Sequence, residues 1–277
     1  MKIFNSIADA EIVPIFFEKT GEKLNVLVSY AYLKGNGVKL TKDYRDKIDS
    51  LYLDSGAFTA ASGKVHISLS EYRRFIRRFG DRFDEVFNLD DKFDDPDHNK
   101  QNQIYLEEGL PEGSKRPIPV LHDKVDPLKE FKEYADEGHD YVAIGSNLPR
   151  KMLDVIWKDY SRINIHMFGK LDRKLLFGYR PFSADASTWA KAVGFGRLLY
   201  WDSEDKKEYR INLGEREGSK GNGIPFDDFH HKNQLESFLN DTFGFNRTQL
   251  MSDYTGKRIV NLYFFKQLEN MINAQSK

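Results

Sequence analysis

Three acidic sites follow short strand-like runs, at positions where a buried strand would end. Asp54 comes directly after Leu51-Tyr52-Leu53, and a glycine stands two residues later. The pair Asp90-Asp91 and the single Asp185 follow similar runs further along the chain. Because barrel enzymes keep their chemistry at the carboxyl ends of their strands, we predict that these carboxylates converge on one acidic pocket.

Carboxylates from three strand ends could together exchange groups at the anomeric carbon of a sugar. One attacks the carbon as a nucleophile, a second transfers a proton at the leaving group, and a third accepts hydrogen bonds from a ligand. An aspartate after a strand can equally be a helix N-cap or a turn residue, and the chain has 43 acidic residues. Both interpretations stay open for any single aspartate.

Eight strand-like runs would position these carboxylates. They lie at residues 25–32, 50–55, 85–90, 117–122, 141–146, 164–169, 181–187 and 197–202. Several are continuously apolar, such as Tyr141-Val142-Ala143-Ile144, which is typical of parallel strands covered on both faces. Helical patterns lie between them, clearest where Tyr72, Ile76 and Phe79 share one face. The alternation favours an α/β protein with a (β/α)8 barrel over a doubly wound open sheet.

The pattern changes after the last of these runs. Residues 204–223 are charged, carry glycines and show no apolar period, and helical stripes return later, for example at Leu235 and Leu239. We therefore expect residues 1–202 to form the catalytic barrel. Residues 203–277 would add a loop or lid and C-terminal helices that pack on the barrel, within a single domain overall.

Composition narrows the classes of function. The net charge is -1, so a nucleic acid would have to contact a local basic patch. The absence of cysteine excludes disulfides, thiolate nucleophiles and cysteine-ligated zinc. No segment approaches the roughly 20 apolar residues of a membrane helix, so we expect a soluble cytoplasmic protein without a membrane partner. His230-His231 beside Asp227-Asp228 match no standard ligand spacing, and we predict neither a metal nor a cofactor.

The motif Asp54-Ser55-Gly56-Ala57-Phe58 resembles the Asp-Ser-Gly-Gly-Phe signature of the tRNA-guanine transglycosylase family. Later motifs resemble elements of that family in the same order, at residues 88–91, at 143–146, and from 165–169 to 182–187. The resemblance covers residues 51–189, which is half of the chain.

Two departures from the family pattern are informative. The cysteine-rich zinc site is absent, and Ser187-Thr188-Trp189 replaces the segment that follows the family's nucleophile. In this the chain is similar to the compact, zinc-free phage and bacterial relatives that place 7-deazaguanines into DNA instead of tRNA. The resemblance implies a pentosyltransferase that exchanges guanine in DNA for a free 7-deazaguanine base, such as 7-cyano-7-deazaguanine, in a bacterium or a phage-infected cell. A zinc-free enzyme acting on tRNA is the alternative.

The resemblance also implies roles for individual residues. Asp185 becomes the nucleophile that attacks C1′ of a guanosine nucleotide, and Asp54 becomes the proton shuttle. Asp90, with Asp91 as a second candidate, would accept the guanine N1–H and exocyclic amine. His122 falls where the family has a glutamine that contacts the base. The other base-binding residues would be Ser55, Gly145 and Ser146, with Phe58 and Phe168 stacking on the base.

A guanine inside duplex DNA must be flipped out to react, which requires phosphate contacts around the pocket. We predict these contacts from Lys170, Arg173, Lys174 and Arg180. The residues leave two interpretations open outside this family. One is a barrel hydrolase or lyase that uses Asp54 and Asp185 on a small sugar, and the other is a non-catalytic subunit that binds nucleic acid or a partner protein.

Overall fold

Eight parallel strands form a closed barrel. The computed structural model describes residues 1–33, 36–63, 65–111, 113–145, 147–169, 172–214 and 223–275. The barrel strands are β1 (Lys2–Ser6), β2 (Leu24–Ser29), β3 (Ile48–Asp54), β4 (Glu85–Val86), β5 (Val120–Leu121), β6 (Tyr141–Ile144), β7 (Asn164–Met167) and β8 (Ser183–Ala186). Their order is β4-β3-β2-β1-β8-β7-β6-β5. A parallel bridge between Phe87 and Ile118 joins the ends of this sheet, which confirms the predicted (β/α)8 barrel.

Alternate side chains along these strands fill the barrel interior. Tyr52 stacks on Phe4 with ring centroids 3.9 Å apart, and its hydroxyl lies 3.4 Å from that of Tyr141. The Tyr141 hydroxyl lies 2.6 Å from Ser183 Oγ. Residues two apart on a strand face the same side, so Asp54 and Asp185 follow Tyr52 and Ser183 on the inner face, one layer nearer the carboxyl ends of the strands.

The helices of the described residues include two that cover the patterns predicted at Tyr72, Ile76 and Phe79 and at Leu235 and Leu239. The helices are α1 (Ile12–Thr20), α2 (Ala57–Ala61), α3 (Leu69–Phe79), α4 (Pro96–Glu107), α5 (Pro127–Asp136), α6 (Arg150–Asp159), α7 (Arg173–Tyr179), α8 (Thr188–Gly194), α9 (Lys232–Phe243), α10 (Arg247–Ser252) and α11 (Tyr254–Ala274). Shorter helical turns lie at Tyr30–Tyr32, Lys39–Asp43, Arg45–Lys47, Gly80–Arg82 and Phe226–Asp228. Asp95, Asp126 and Asp172 cap α4, α5 and α7 through their side chains, so part of the acidic content has the structural role that was the alternative to catalysis.

Contacts divide the chain into two compact units. The first comprises Met1–Ala10 and Asn25–Ala186, and the second comprises Glu11–Leu24 and Ser187–Lys277. The second unit contains a sheet of β9 (Arg197–Asp202), β10 (Lys207–Asn212) and β11 (Ile224–Pro225), in which β10 is antiparallel to β9 and parallel to β11. The described residues include no helix with the length and apolar character needed to cross a membrane.

A buried asparagine links three elements of the second unit. Asn261 on α11 is fully buried and accepts a hydrogen bond from Leu199 N at 2.7 Å. Its amide donates to the carbonyl oxygens of Trp189 and Arg197. Because an unpaired buried amide would be costly, these bonds fix α11 against α8 and β9.

Two sequence predictions about the strands are wrong. Residues 197–202 are not the eighth barrel strand, because β9 pairs with β10 in the separate sheet. The eighth barrel strand is instead β1, which the sequence patterns did not predict. Its sequence Lys-Ile-Phe-Asn-Ser has only two apolar residues and no long apolar run. Residues 207–212 form β10 inside the segment predicted as a loop or lid, and residues 215–222 of that segment lie outside the described residues. The predicted boundary at residue 202 falls within the second unit.

Candidate functional site

Asp54 occupies the carboxyl end of β3, where the chain turns sharply into α2. Gly56 makes this turn with a φ of 87°, in the region that favours glycine, and its N–H donates to Asp54 Oδ2 at 3.0 Å. A Cβ on Gly56 would lie 2.6 Å from Ser29 Oγ and 2.9 Å from Ala31 Cβ. The glycine of the motif is therefore required by backbone conformation and by close packing, and the turn it allows holds the Asp54 carboxyl in place.

Asp185 lies in β8, opposite Phe4 in the register with β1. The residue is buried, with 6% of its surface exposed. Gly169 N donates to Oδ1 at 2.6 Å, and Ser6 Oγ donates to Oδ2 at 3.2 Å. Bonds from the ends of two neighbouring strands thus hold the carboxylate in one orientation, as a nucleophile requires.

Asp90 is buried after β4 and contacts two predicted base-binding residues. His122 Nε2 lies 2.9 Å from Asp90 Oδ2, and Ser55 Oγ donates to Asp90 Oδ1 at 3.4 Å. A Cβ on Gly145 would lie 2.9 Å from His122 Nδ1. Gly145 therefore makes room for the His122 ring, which in turn orients Asp90.

The three carboxylates share one electrostatic environment. Burial, followed by the charges of Asp90 and Asp185, raises the pKa of Asp54 from 3.8 to about 7. The N–H groups of Gly56 and Ser55 act in the opposite direction and do not cancel these effects. A carboxyl with a pKa near 7 can both give and take a proton at neutral pH, which suits a general acid and base.

His166 belongs to this site, although the sequence interpretation gave it no role. It is fully buried in β7, with Nδ1 2.5 Å from Ser183 Oγ. Its Nε2 lies 3.7 Å from Asp185 Oδ1 and has no hydrogen-bond partner among the described residues. The signal for it was the period of the strand: His166 stands two residues before Phe168, as Ser183 does before Asp185.

The two predicted aromatic residues have different surroundings. Phe168 packs against the barrel core, with its ring centroid 4.7 Å from that of Phe87 and 4.5 Å from that of His166. Phe58 is 82% exposed in the first turn of α2. Phe168 is therefore the aromatic residue that the structure brings to the site, and Phe58 is not.

The side chain of Asp91 contacts helix α4 instead of the carboxylate cluster that contains Asp90. Its Oδ1 lies 3.0 Å from His98 Nε2 and accepts a bond from Asn102 Nδ2 at 3.0 Å, both on α4. Asp91 also borders a cavity of about 420 Å³ between α2 and the segment after β4, together with Ala60, Gly63, Val65, His66, Ile67 and Lys92. That volume is within the range of small-molecule sites. Asp91 thus lies beside the carboxylate cluster rather than in it.

The predicted phosphate contacts do not form one patch. Arg173 and Lys174 begin α7, close to the carboxyl end of β7 in the chain, whereas Arg180 follows the last residue of α7 and precedes β8. A seven-residue helix is about 10 Å long, so Arg180 lies toward the amino ends of the strands, away from the carboxylates. The predicted phosphate contact Lys170 and the predicted base-binding residue Ser146 lie outside the described residues.

Comparisons with known proteins identify the fold of this chain but not its reaction. No protein-family model matches the sequence, and no curated protein matches it. Among solved structures the chain is similar to a Coccidioides immitis protein provisionally described as a fructose-1,6-biphosphate aldolase, with 11% identity and a TM-score of 0.54 over 97% of this chain and 91% of that chain. At that identity the likeness shows the fold alone, an α/β barrel of the (β/α)8 type.

Proposed function

We propose that this chain is a base-exchange enzyme that replaces guanine in DNA with a 7-deazaguanine base through a covalent bond between Asp185 and C1′. The observation that carries the proposal is the placement of three carboxylates at strand ends, where hydrogen bonds hold Asp54, Asp90 and Asp185, and where burial and the charges of the other two raise the pKa of Asp54. It supports three carboxylates acting on one small ligand at the carboxyl ends of barrel strands.

In the first half of the reaction, a carboxylate oxygen of Asp185 forms a bond to C1′ as the C1′–N9 bond breaks. The electron pair of that bond stays with guanine, which takes a proton from Asp54. The transition state has oxocarbenium character, and nearby carboxylate charge stabilises it. The hydrogen bonds from Gly169 and Ser6 keep the Asp185 oxygens in position for the attack.

In the second half, the incoming 7-deazaguanine attacks C1′ through N9 and displaces Asp185. Asp54, now ionised, takes the proton that the incoming base loses. Two displacements at one carbon restore the original β configuration. Because Asp54 must be an acid in one half and a base in the other, a pKa near the working pH serves both.

Asp90 gives the proposed site its preference for guanine. A carboxylate can accept both the N1–H and the exocyclic amine of guanine, an edge that adenine does not present. His122 and Ser55 contact the two oxygens of Asp90 and hold them in place. The resemblance to the compact, zinc-free branch of the family is what favours DNA over tRNA as the polymer.

The first test is a covalent adduct with DNA on a denaturing gel, using single-stranded DNA that contains guanine. We expect the adduct with the wild type and none with Asp185→Asn. Asp91→Asn is the matched control, because it makes the same change on a carboxylate outside the cluster, and it should keep the adduct. Labelled guanine offered with either DNA or tRNA then identifies the polymer. An adduct that survives Asp185→Asn, or label that enters neither polymer, contradicts the proposal.

The position of Arg180 favours a second candidate, a hydrolase that acts on a small sugar with Asp54 and Asp185 as its acid–base pair. Of the predicted phosphate contacts that the structure describes, only Arg173 and Lys174 lie near the carboxyl ends of the strands. A small substrate would need fewer cations than a polymer. This enzyme would release sugar from a small glycoside and transfer no label into nucleic acid.

A further inference from the structure

A cluster of histidines and carboxylates lies in the second unit, where β9 ends and α9 begins. We infer that Asp205, His230 and His231 bind a divalent transition metal, with zinc as the best match. One ligand atom from each of the three residues lies within 4.8 Å of the others. The site is independent of the carboxylates in the barrel and of the proposed base exchange.

The spacing of the ligand atoms suits a small metal ion. Asp205 Oδ2 lies 2.7 Å from His230 Nε2. His231 Nε2 lies 3.4 Å from Glu204 Oε2, but Glu204 is not within reach of all three ligand atoms of the cluster. Zinc bonds of 2.0–2.2 Å in a tetrahedron put neighbouring ligand atoms about 3.4 Å apart. Small side-chain movements would therefore bring these atoms around one ion.

Asp202 holds His231 in the orientation that metal binding needs. It is fully buried, accepts hydrogen bonds from Glu204 N and Asp205 N at 2.9 Å each, and lies 2.7 Å from His231 Nδ1. A histidine that binds a metal through one ring nitrogen commonly donates its other N–H to a carboxylate, which fixes the ring. Asp202 engages Nδ1, so Nε2 is the nitrogen that faces the ligand cluster.

The donor types select the metal. Two imidazoles with one carboxylate suit zinc and its transition-metal neighbours, whereas calcium and magnesium prefer oxygen ligands alone. Asp227 and Asp228, which stand beside the histidines in the sequence, are not in the cluster, and Asp227 instead pairs with Arg247 at 2.7 Å. Asp205 is 25 residues before His230 in the chain, and the β9–β10 turn brings it to the histidines, so residue spacing alone does not reveal the cluster.

The test is a calorimetric titration of the full chain with zinc chloride after treatment with a chelator. We expect one zinc per chain in the wild type, and binding at least about tenfold weaker in His230→Ala and Asp205→Asn. The His230 side chain is 52% exposed, so its replacement should leave folding intact. Asp228→Asn is the matched control: it removes an exposed carboxylate of the same segment, and we expect unchanged zinc affinity.

A second measurement separates positioning by Asp202 from a purely structural role. Asp202→Asn should weaken zinc binding by about 10- to 100-fold and change the visible absorption spectrum of the cobalt-substituted protein, because the His231 ring loses its fixed orientation. The inference is overturned if the wild type binds no more zinc than a His230→Ala/His231→Ala double variant, or if Asp228→Asn weakens binding as much as Asp205→Asn. The base-exchange assays with Asp185→Asn are unaffected by either result.

Discussion

The raised pKa of Asp54 makes a quantitative prediction about stability. A carboxyl group with a higher pKa in the folded than in the unfolded chain holds its proton after the unfolded chain has lost it. Folding is therefore penalised progressively as pH rises from about 4 to about 7, and the penalty is constant above that range. Asp54→Asn removes the titrating group and keeps an oxygen that can accept the Gly56 N–H.

The size of the effect follows from the two pKa values. The pKa of Asp54 is raised from 3.8 to about 7, and each pKa unit is worth about 1.4 kcal/mol. We therefore expect Asp54→Asn to gain on the order of 4 kcal/mol in the free energy of unfolding, relative to the wild type, between pH 4 and pH 8. Such a gain would mean that Asp54, the acid and base of the proposed reaction, lowers the stability of the fold in return for activity.

Urea unfolding of the wild type and of Asp54→Asn at several pH values measures this difference directly. Burial also raises the pKa of Glu130 to about 7, but Glu130 is present in both proteins and cancels in the comparison. Asp228→Asn, a change of charge at an exposed residue, should show no such rise. If the difference between Asp54→Asn and the wild type stays constant from pH 4 to pH 8, Asp54 does not lie in a buried acidic cluster and the reasoning fails.

Three further outcomes are expected from the same geometry. Asp90→Asn removes one of the charges that raise the pKa of Asp54, so the limb of the pH–activity profile that Asp54 sets should move to lower pH. An unmoved profile would show that the charge of Asp90 does not act on Asp54. Gly56→Ala should lower the free energy of unfolding by at least about 1–3 kcal/mol in urea titrations. The reason is that φ is 87° and that a Cβ would lie 2.6 Å from Ser29 Oγ. An unchanged free energy of unfolding would contradict the turn described here. Gly145→Ala should displace His122 from Asp90 and weaken binding of guanine in a titration with the free base. The matched control is Gly178→Ala, whose Cβ would meet nothing within 4 Å, and it should bind guanine as the wild type does.

Continuous apolar runs predicted most of the barrel strands, because parallel strands are buried on both faces. The exceptions show the limit of that signal. Residues 197–202 are as apolar as a barrel strand, yet they pair with β10. The sequence of a strand does not show which other strand it will pair with. β1 is short and half polar, and its place in the barrel depends on β2 and β8 on either side.

The candidate site was predicted in part. Asp54, Asp90 and Asp185 could be identified because each ends a strand-like run. The neighbours that orient them could not, since Gly169 and Ser6 reach Asp185 only across adjacent strands. The exposure of Phe58 and the turn of Asp91 toward α4 likewise depend on which way each side chain leaves the backbone.

By itself, the sequence determined local properties: where most of the barrel strands end, and where a glycine allows the chain to turn after one of them. These depend on residues close together in the chain, so their pattern is visible without the fold. Only the tertiary structure decided the pKa of Asp54, the burial of His166 beside Asp185, and the meeting of Asp205 with the two histidines. Burial and charge act through space, over distances that only the folded chain makes short.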